Sequence, residues 1–328
     1  MGSGSALGEL SYRPRVLVVG GFGYLGGRIA QHLSAAGLSV VLGTRKNYEP
    51  PDWLPICSTA QLDWSSTDAL VAACESIDIV IHAAGMNAEQ CSQNPVEALE
   101  FNGVATARLV CASQRAGVKK FIYISTAHVY RAPLAGTIGV NSRTENLHPY
   151  ATSHLAGEQA LLSATRQGDM RGLVIRLSNV VGKPVSLGID CWTLLVNSLC
   201  REAIEKKTLT IRGNSNDSRD FISLASVCEI FLYLINYSVE GEIRIHNVGS
   251  GLVLTLEQMA KIVSERLKIH TGREIEVCMS NRRRIPAPPL VYESTYFDCC
   301  NPLTEQAAVT AEIDQLLRFC ELKLCYPQ

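Results

Sequence analysis

Short apolar runs rich in β-branched residues alternate along the chain with longer stretches of helical periodicity. Such runs are typical of buried strands, and the stretches between them are typical of helices that cover a sheet. The predicted strands are Val16–Val19, Ser39–Leu42, Ile79–His82, Lys120–Ser125 and Gly172–Arg176. The predicted helices are Tyr24–Ala36, one that ends near Ser76, Pro95–Ala116 and Tyr150–Ala164. The alternation predicts βαβ units and a parallel sheet with helices on both faces.

After about Val180 the alternation becomes less regular. The predicted elements there are helices Cys191–Lys206, Leu224–Asn236 and Thr255–Leu267, strands Thr208–Ile211 and Arg244–Asn247, and a Pro-rich segment at Ile285–Pro289. We therefore expect a flexible Gly/Ser-rich leader (1–12), a sheet domain (13–180) and a smaller mixed α/β lobe (181–328) with some segments that return to the sheet.

Composition excludes several classes of partner. Of 328 residues, 47% are hydrophobic and 19% charged, and the net charge is -1, which predicts no nucleic-acid or membrane-surface partner. The basic run Asn281–Arg284 is interpreted as a solvated loop or a phosphate contact. The apolar run Ile230–Tyr237 is too short to span a bilayer.

Twelve cysteines without a CxxC pair indicate a reducing compartment, so we expect a soluble, cytoplasmic protein.

Three glycines, Gly20, Gly23 and Gly26, follow the first predicted strand and open the first predicted helix. A tight strand-to-helix turn, close approach to a pyrophosphate and close helix packing all require glycine at this spacing. The alternative is a tight turn without a ligand. The position at the first strand–helix junction favours a bound dinucleotide, with its phosphates at the helix N-terminus.

Residues that follow the second, third and fourth strands are suited to the rest of a dinucleotide. Gly43 stands where NAD-preferring sites commonly carry an acidic residue, and Arg45 follows it. Arg45 can hold a 2′-phosphate in bidentate fashion, which favours NADP over NAD, although solvated basic residues in a loop would give the same pattern. Further predicted cofactor contacts are Asp63 and Trp64 near the adenine, and the small residues Ala83, Ala84 and Gly85 beside the cofactor.

Eight segments in order resemble the extended short-chain dehydrogenases/reductases, in the NAD-dependent epimerase/dehydratase branch that modifies nucleotide sugars. The segments are GGFGYLGG (20–27), VIHAAG (80–85), FNGVATARLV (101–110), FIYISTAHVY (121–130), HPYATSH (148–154), IRLSNVVG (175–182), RDFISLASV (219–227) and HNVGSG (246–251). The resemblance implies a Rossmann-type doubly wound parallel sheet with a substrate lobe. It also implies further cofactor contacts from Tyr24, Leu25, Asn102, Ser125 and Ser178.

By the same resemblance, Tyr150 is the general acid/base toward a sugar hydroxyl or ketone, and Thr126 bonds the same oxygen. Asn179, Lys183 and Arg219 fall where relatives contact the sugar nucleotide, although Arg219 could instead form a structural salt bridge with Asp217 or Asp220. The resemblance further implies a homodimer through helices Pro95–Ala116 and Tyr150–Ala164.

His154 is the main departure, because it stands where the family carries a lysine four residues after the tyrosine. An imidazole with an ordinary pKa near 6.5 is mostly uncharged at neutral pH. Three interpretations stay open: a working variant with a reduced or pH-dependent rate, a protein that binds ligands but turns over poorly, or a charge supplied by another residue such as His128 or His148.

The expected activity is 4-keto reduction or epimerisation of a nucleotide-linked sugar, with NADP or NAD as cofactor. The residues after Thr126 are Ala127 and His128 rather than the Asp-Glu pair of the dehydratases, which argues against 4,6-dehydration. The alternatives are a catalytically impaired dinucleotide-binding member with a sensing or scaffold role, and a reductase of a non-sugar carbonyl.

Overall fold

The computed structural model describes residues 13–166, 168–206, 208–211, 214–236, 244–279, 289–295 and 302–325. The leader, the basic run at 281–284 and all but the last residue of the Pro-rich segment lie outside these ranges. The strands are β1 Arg15–Val19, β2 Ser39–Thr44, β3 Ser58–Gln61, β4 Ile79–His82, β5 Lys120–Thr126, β6 Gly136–Ile138, β7 Arg171–Leu177, β8 Asn179–Val181, β9 Thr208–Ile211, β10 Ser218–Ser223, β11 Ile245–Val248, β12 Val253–Thr255, β13 Glu276–Met279 and β14 Leu290–Tyr292.

The α-helices are α1 Tyr24–Ala35, α2 Thr67–Ala73, α3 Ala88–Gln93, α4 Pro95–Ala98, α5 Thr106–Arg115, α6 Pro149–Ala164, α7 Leu195–Glu205, α8 Leu224–Asn236, α9 Leu256–Thr271 and α10 Pro302–Cys325. A short 3-10 turn covers Ala127–Val129. The predicted helix Pro95–Ala116 is interrupted by a π-helical stretch, Leu99–Ala105, which carries the buried Asn102.

Seven strands form one parallel sheet in the order β11-β7-β5-β4-β1-β2-β3. The order reverses between β1 and β4, and ligands of such sheets bind at the carboxyl ends of the strands beside this reversal. Helices α1 and α8 pack on one face, whereas α2, α5 and α6 pack on the other. The predicted Rossmann-type doubly wound sheet is confirmed.

Helices α7, α9 and α10 enclose a second apolar core with β9 and β10. Two elements after residue 180 belong to the main sheet layer, because α8 packs on α1 and β11 pairs with β7. The predicted helix Cys191–Lys206 begins only at Leu195. Before it, Asp190 Oδ1 accepts a hydrogen bond of 3.3 Å from the Trp192 N–H, a side-chain bond that competes with helical structure.

Candidate active site

A cavity of about 1520 Å³ opens at the carboxyl ends of β1, β2, β4, β5 and β7. This volume exceeds the range of about 300–1,000 Å³ that a single small ligand needs. The predicted site residues on its lining are Gly20, Gly23, Tyr24, Leu25, Arg45, Trp64, Ala83, Ala84, Gly85, Ser125, Thr126, Tyr150, His154, Ser178, Asn179 and Arg219. The cavity has room for two ligands, one along the strand ends and one toward the second core.

The glycine turn between β1 and α1 is specified by backbone contacts. Gly20 has φ +80°, and a Cβ there would lie 2.8 Å from the Ala84 nitrogen. The Gly23 N–H donates to the Gly20 carbonyl at 2.8 Å, and Gly26 packs against the same carbonyl with no room for a Cβ. No side-chain hydrogen bond caps α1 at Gly23, and its first turn carries no acidic residue. The first turn of α1 is therefore left uncapped, with its N–H groups toward an anion.

The end of the cavity near β2 and β3 combines a cation with aromatic rings. The Arg45 guanidinium lies 5.9 Å from the centre of the Phe101 ring, and Trp64 meets Phe101 edge-on at 5.6 Å. The indole Nε1 of Trp64 is buried without a partner among the described residues. Flat apolar surface, an available donor and a neighbouring guanidinium suit an adenosine with a phosphate on its ribose.

Four predicted site residues lie off the lining. Gly26 packs against the Gly20 carbonyl. Asn102 supports the segment after β4, because its Oδ1 accepts a hydrogen bond from the Met86 N–H at 2.9 Å. The exposed Asp63 carboxylate accepts from the Ser65 hydroxyl at 2.6 Å. The Lys183 backbone joins Arg28 and Glu312 on the far side of α1. Cofactor contact by Asp63 and substrate contact by Lys183 thus stay predictions without support from this geometry.

Thr126 and Tyr150 meet at the end of β5. Tyr150 stands in the first turn of α6, and its phenol is hydrogen-bonded to the Thr126 side chain. Burial raises the pKa of Tyr150 to about 12, and the bond from Thr126 offsets only part of that effect. The phenol is therefore protonated at neutral pH.

His154 lies on the next turn of α6, with its ring centre 4.6 Å from that of Tyr150. Its Nδ1 is 2.9 Å from the Tyr123 hydroxyl. Burial, helped by the neighbouring His128, lowers the pKa of His154 to about 4. This differs from the expectation of an imidazole that titrates near 6.5, because that value describes a solvated ring.

Two further histidines lie near this pair. The Nδ1 of His148 accepts from the Tyr150 N–H at 3.1 Å and so caps α6. His128 lines the cavity, and burial together with Arg219 lowers its pKa to about 4. The His148 Nδ1 thus acts as an acceptor, and burial disfavours the charged form of His128.

Arg219 and Asn179 line the opposite wall. The Arg219 Nη1 lies 3.5 Å from the Asn179 Oδ1, and burial lowers the pKa of Arg219 while Asp217 opposes that effect. The Asp220 carboxylate instead accepts from the Gly251 N–H at 2.7 Å. The Asp220 carboxylate is thus bonded to the backbone rather than in a salt bridge with Arg219. Beyond this wall the lining continues through Trp192, whose ring is 5.4 Å from the Arg201 guanidinium.

Sequence reasoning missed the residues behind His154. Tyr123 and His82 fall within two of the motifs, and they are register partners on β5 and β4. Parallel neighbours in register share a face, so this pairing could have been inferred from the motifs alone. It was hidden because both residues occupy otherwise apolar strands.

Within the described ranges, no group of His, Cys, Asp and Glu side chains could hold a metal ion. Over the same ranges, no helix has the length and apolar character needed to cross a membrane.

The fold and the glycine turn define a dinucleotide-binding α/β protein. Residues 16–249 match the model of the NAD dependent epimerase/dehydratase family, and the chain belongs to this family. It is 27% identical to the UDP-glucose 4-epimerase of Azospirillum brasilense over 85% of this chain and 83% of that one. It is 29% identical to the mouse dTDP-D-glucose 4,6-dehydratase over 81% and 76% of the two chains.

Solved structures share the fold. A UDP-glucuronic acid 4-epimerase from Bacillus cereus, in complex with UDP-glucuronic acid and NAD, superposes with a TM-score of 0.76 at 18% identity, over 94% of this chain and 99% of that one. RMD from Pseudomonas aeruginosa, complexed with NADPH, gives a TM-score of 0.74 at 22% identity over 94% and 99%. Structures of this fold thus include both NAD and NADPH complexes.

Proposed function

We propose that this protein is an NAD(P)-dependent enzyme that reduces a 4-keto group, or epimerises a carbon, of a nucleotide-linked sugar. The observation that carries the proposal is that the Thr126–Tyr150 pair and the glycine turn open onto one cavity. The named relatives act on UDP- or dTDP-linked sugars, which supports this class of substrate. Arg219 and Asn179 would then hold the substrate diphosphate.

The residues on the lining fit a nicotinamide dinucleotide. The crowded glycine turn would hold the pyrophosphate, and Gly85, where a Cβ would lie 3.4 Å from the Asn102 Oδ1, leaves room beside the nicotinamide end. When bound, this cofactor supplies the hydride donor or acceptor. Tyr150 would supply or remove the proton on the sugar oxygen, with Thr126 bonded to the same oxygen.

The protonation state of Tyr150 favours reduction over oxidation. A phenol with a pKa of about 12 is present at neutral pH almost wholly in the protonated form that donates to a keto oxygen, and the phenolate that would deprotonate a hydroxyl is scarce. An epimerase at carbon 4 has to begin by oxidising a hydroxyl. We therefore favour a 4-keto reductase, with epimerisation as the alternative reaction.

Arg45 favours NADPH as the reductant. The end of β2 carries Gly43 in place of a carboxylate, and Arg45 and Lys46 both line the cavity. A 2′-phosphate there would meet two cations, and neither carboxylate of the following loop, Glu49 or Asp52, lines the cavity. The proposed cofactor is accordingly NADP, with NAD as the alternative.

One observation supports a second candidate, a family member that binds ligands without turnover. The pKa of His154 is about 4, so position 154 places no cation beside Tyr150 to help it ionise. Such a protein would act as a sensor or scaffold. This candidate predicts cofactor affinity equal to that of an enzyme but no conversion of any nucleotide sugar.

The proposed homodimer would use the surface of the interrupted helix. Val96, Leu99 and Val104 are exposed along it, 71%, 49% and 44% respectively. Light scattering at several protein concentrations would measure the oligomeric state.

Calorimetric titration with NADPH and NADH, followed by NADPH oxidation assays with 4-keto derivatives of UDP- and dTDP-sugars, tests the proposal. A reductase binds NADPH more tightly and oxidises it only when the keto-sugar is present. Cofactor binding without oxidation by any of these substrates supports the sensor or scaffold. Failure to bind either cofactor rejects both candidates.

A further inference from the structure

A row of buried polar side chains runs inward from the end of the cavity that holds Thr126 and Tyr150, which we call the catalytic end. The Tyr123 hydroxyl lies 2.9 Å from the His154 Nδ1, and the Thr106 side chain is near enough to lower the pKa of the phenol in part. The Thr106 Oγ1 lies 2.9 Å from the His82 Nε2. All four side chains are buried, and together they link β4, β5, α5 and α6. We refer to His82, Thr106, Tyr123 and His154 as the inner relay.

Packing holds the inner relay in one arrangement. The ring of Tyr123 lies between the ring of His82, at 5.4 Å, and the ring of His154, at 5.9 Å. Gly157 on α6 leaves the space for the phenol, since a Cβ there would lie 2.8 Å from the Tyr123 hydroxyl oxygen. The Tyr123 hydroxyl therefore has little freedom to choose another partner.

An unbroken run of donation along the inner relay can have two senses, because each hydroxyl carries a single proton. The His82 Nδ1 is buried without a partner within the described part of the chain. If donation ran from His154 toward His82, this nitrogen would carry a proton with no acceptor. If it runs from His82 toward His154, only a lone pair is left unmatched. Since orphaned buried N–H groups are rare, we adopt the direction from His82 through Thr106 and Tyr123 to His154.

We propose that Tyr123 is a positioning residue that fixes His154 as the tautomer with its proton on Nε2, so that a neutral imidazole presents an N–H donor to the cavity. The Nε2 nitrogen lies 3.7 Å from where a Cβ of Gly85 would be, beside the predicted nicotinamide end. The chemistry it recognises is a hydroxyl oxygen, and a ribose hydroxyl of the nicotinamide nucleotide fits that description. The choice of ligand rests on the proposed function, whereas the tautomer does not.

Burial makes the arrangement stable to pH. It raises the pKa of the Tyr123 phenol well above 10, so the phenol keeps its proton for donation. It also lowers the pKa of His82 to about 3. A lysine at position 154 would carry three donors and no acceptor, and the Tyr123 hydroxyl could not donate to it. The inner relay thus depends on histidine at this position.

The tautomer is tested by NMR of imidazole nitrogens in the 15N-histidine-labelled full chain at pH 7, with and without NADPH. We expect the His154 Nδ1 to give the signal of an unprotonated acceptor and Nε2 that of a protonated donor. In Tyr123→Phe we expect a mixture of tautomers. A wild-type His154 protonated on Nδ1, or on both nitrogens, would overturn the proposal whatever the activity of the protein.

A double-mutant cycle tests the effect on the ligand. We expect Tyr123→Phe to weaken NADPH binding about three- to tenfold, as befits one hydrogen bond, and to leave it unchanged in the His154→Lys background. The matched control is Tyr292→Phe, which removes the buried bond from the Tyr292 hydroxyl to the Arg176 carbonyl, away from the cavity, and should not change affinity.

The two measurements separate the possible failures. An equal loss in both backgrounds, or an equal loss in Tyr292→Phe, would mean that Tyr123 is merely structural, and the positioning role would be rejected. The expected tautomer without binding of either cofactor would reject the proposed function and leave the inner relay intact.

Discussion

The two ends of the cavity meet the requirements of the family in different ways. At the end with the glycine turn, the proposed phosphate end, backbone atoms would bind the ligand, and Gly20, Gly23 and Gly26 keep the close-packed geometry that the sequence pattern predicts. At the catalytic end, side chains do it, and His154 replaces the cationic partner of Tyr150 with a neutral ring in the inner relay. The fold has thus been retained while the electrostatics beside the reacting oxygen have changed.

This difference shows what a motif specifies. A glycine turn is steric, so its geometry follows from residue type and φ angle. A proton-transfer pair depends on charge, and the charge of His154 is set by burial among Tyr123, Tyr150, His128 and the strands behind them. Loss of the Tyr150 phenol should therefore alter chemistry while leaving cofactor binding nearly intact, and changes at the phosphate end should do the reverse.

The largest effect is expected for Tyr150→Phe. If Tyr150 is the proton donor, turnover of a 4-keto substrate should fall about 10²–10⁴-fold, because the reacting oxygen loses its acid. The dissociation constant for NADPH should change by less than about twofold, since the phenol is not needed to hold the phosphates. Stopped-flow NADPH oxidation and calorimetry measure the two quantities. Turnover within about threefold of wild type would mean that another group moves the proton.

At the phosphate end, Gly20→Ala should weaken NADPH binding about 100-fold. Its Cβ would lie 2.8 Å from the Ala84 nitrogen, so the turn has to move away from the phosphates. The matched control is Gly117→Ala, which has the same φ of +80° but nothing within 4 Å of the added Cβ. Both variants should lose about 1–2 kcal/mol of unfolding free energy from backbone strain, and only Gly20→Ala should lose more and release the cofactor. Equal NADPH affinities in the two variants would contradict the proposal that the glycine turn binds the cofactor phosphates.

The sequence carries much more information about the phosphate end than about the catalytic end. Strand alternation and eight motifs suffice for the parallel sheet, the glycine turn and the meeting of Thr126 with Tyr150. They do not suffice for the state of His154, because its neutrality comes from burial, helped by His128, against residues such as Tyr123 that lie 31 positions earlier in the chain. The helix predicted from Cys191 failed for a local reason, the competing Asp190 side chain.

Arg45→Ala sharpens the comparison at the adenosine end. It should weaken NADPH binding about tenfold and NADH binding by less than about twofold, because only the 2′-phosphate needs the guanidinium. Arg115→Ala is the control, since Arg115 is exposed and pairs with Asp68 outside the cavity. Equal losses for the two cofactors would mean that Arg45 serves the shared part of the dinucleotide, and the preference for NADP would be withdrawn.

The smallest predicted effect is the pH dependence of cofactor affinity. NADH and NADPH are compared because only NADPH carries a 2′-phosphate that titrates, so a pH effect shared by both would come from the catalytic end. His154 has a pKa of about 4, faces Tyr123 and Tyr150, and is influenced by His128, whose pKa is also about 4. It therefore stays neutral between pH 5.5 and 8.5, and NADH affinity should vary by less than about twofold over that range.

NADPH should behave differently because its own 2′-phosphate takes up a proton near pH 6, so its affinity should fall a few-fold as the pH drops toward 5.5. A parallel change for NADH would mean that a histidine at the catalytic end titrates, contrary to the neutral ring. The lowered pKa of His154 also makes the free energy of unfolding depend on pH, because the unfolded chain takes up the proton more readily than the folded one. His154 therefore contributes stability above pH 6.5 that is lost as the pH falls toward 4. Unfolding curves at each pH should therefore show a slope about 1.4 kcal/mol per pH unit shallower for His154→Gln within that window.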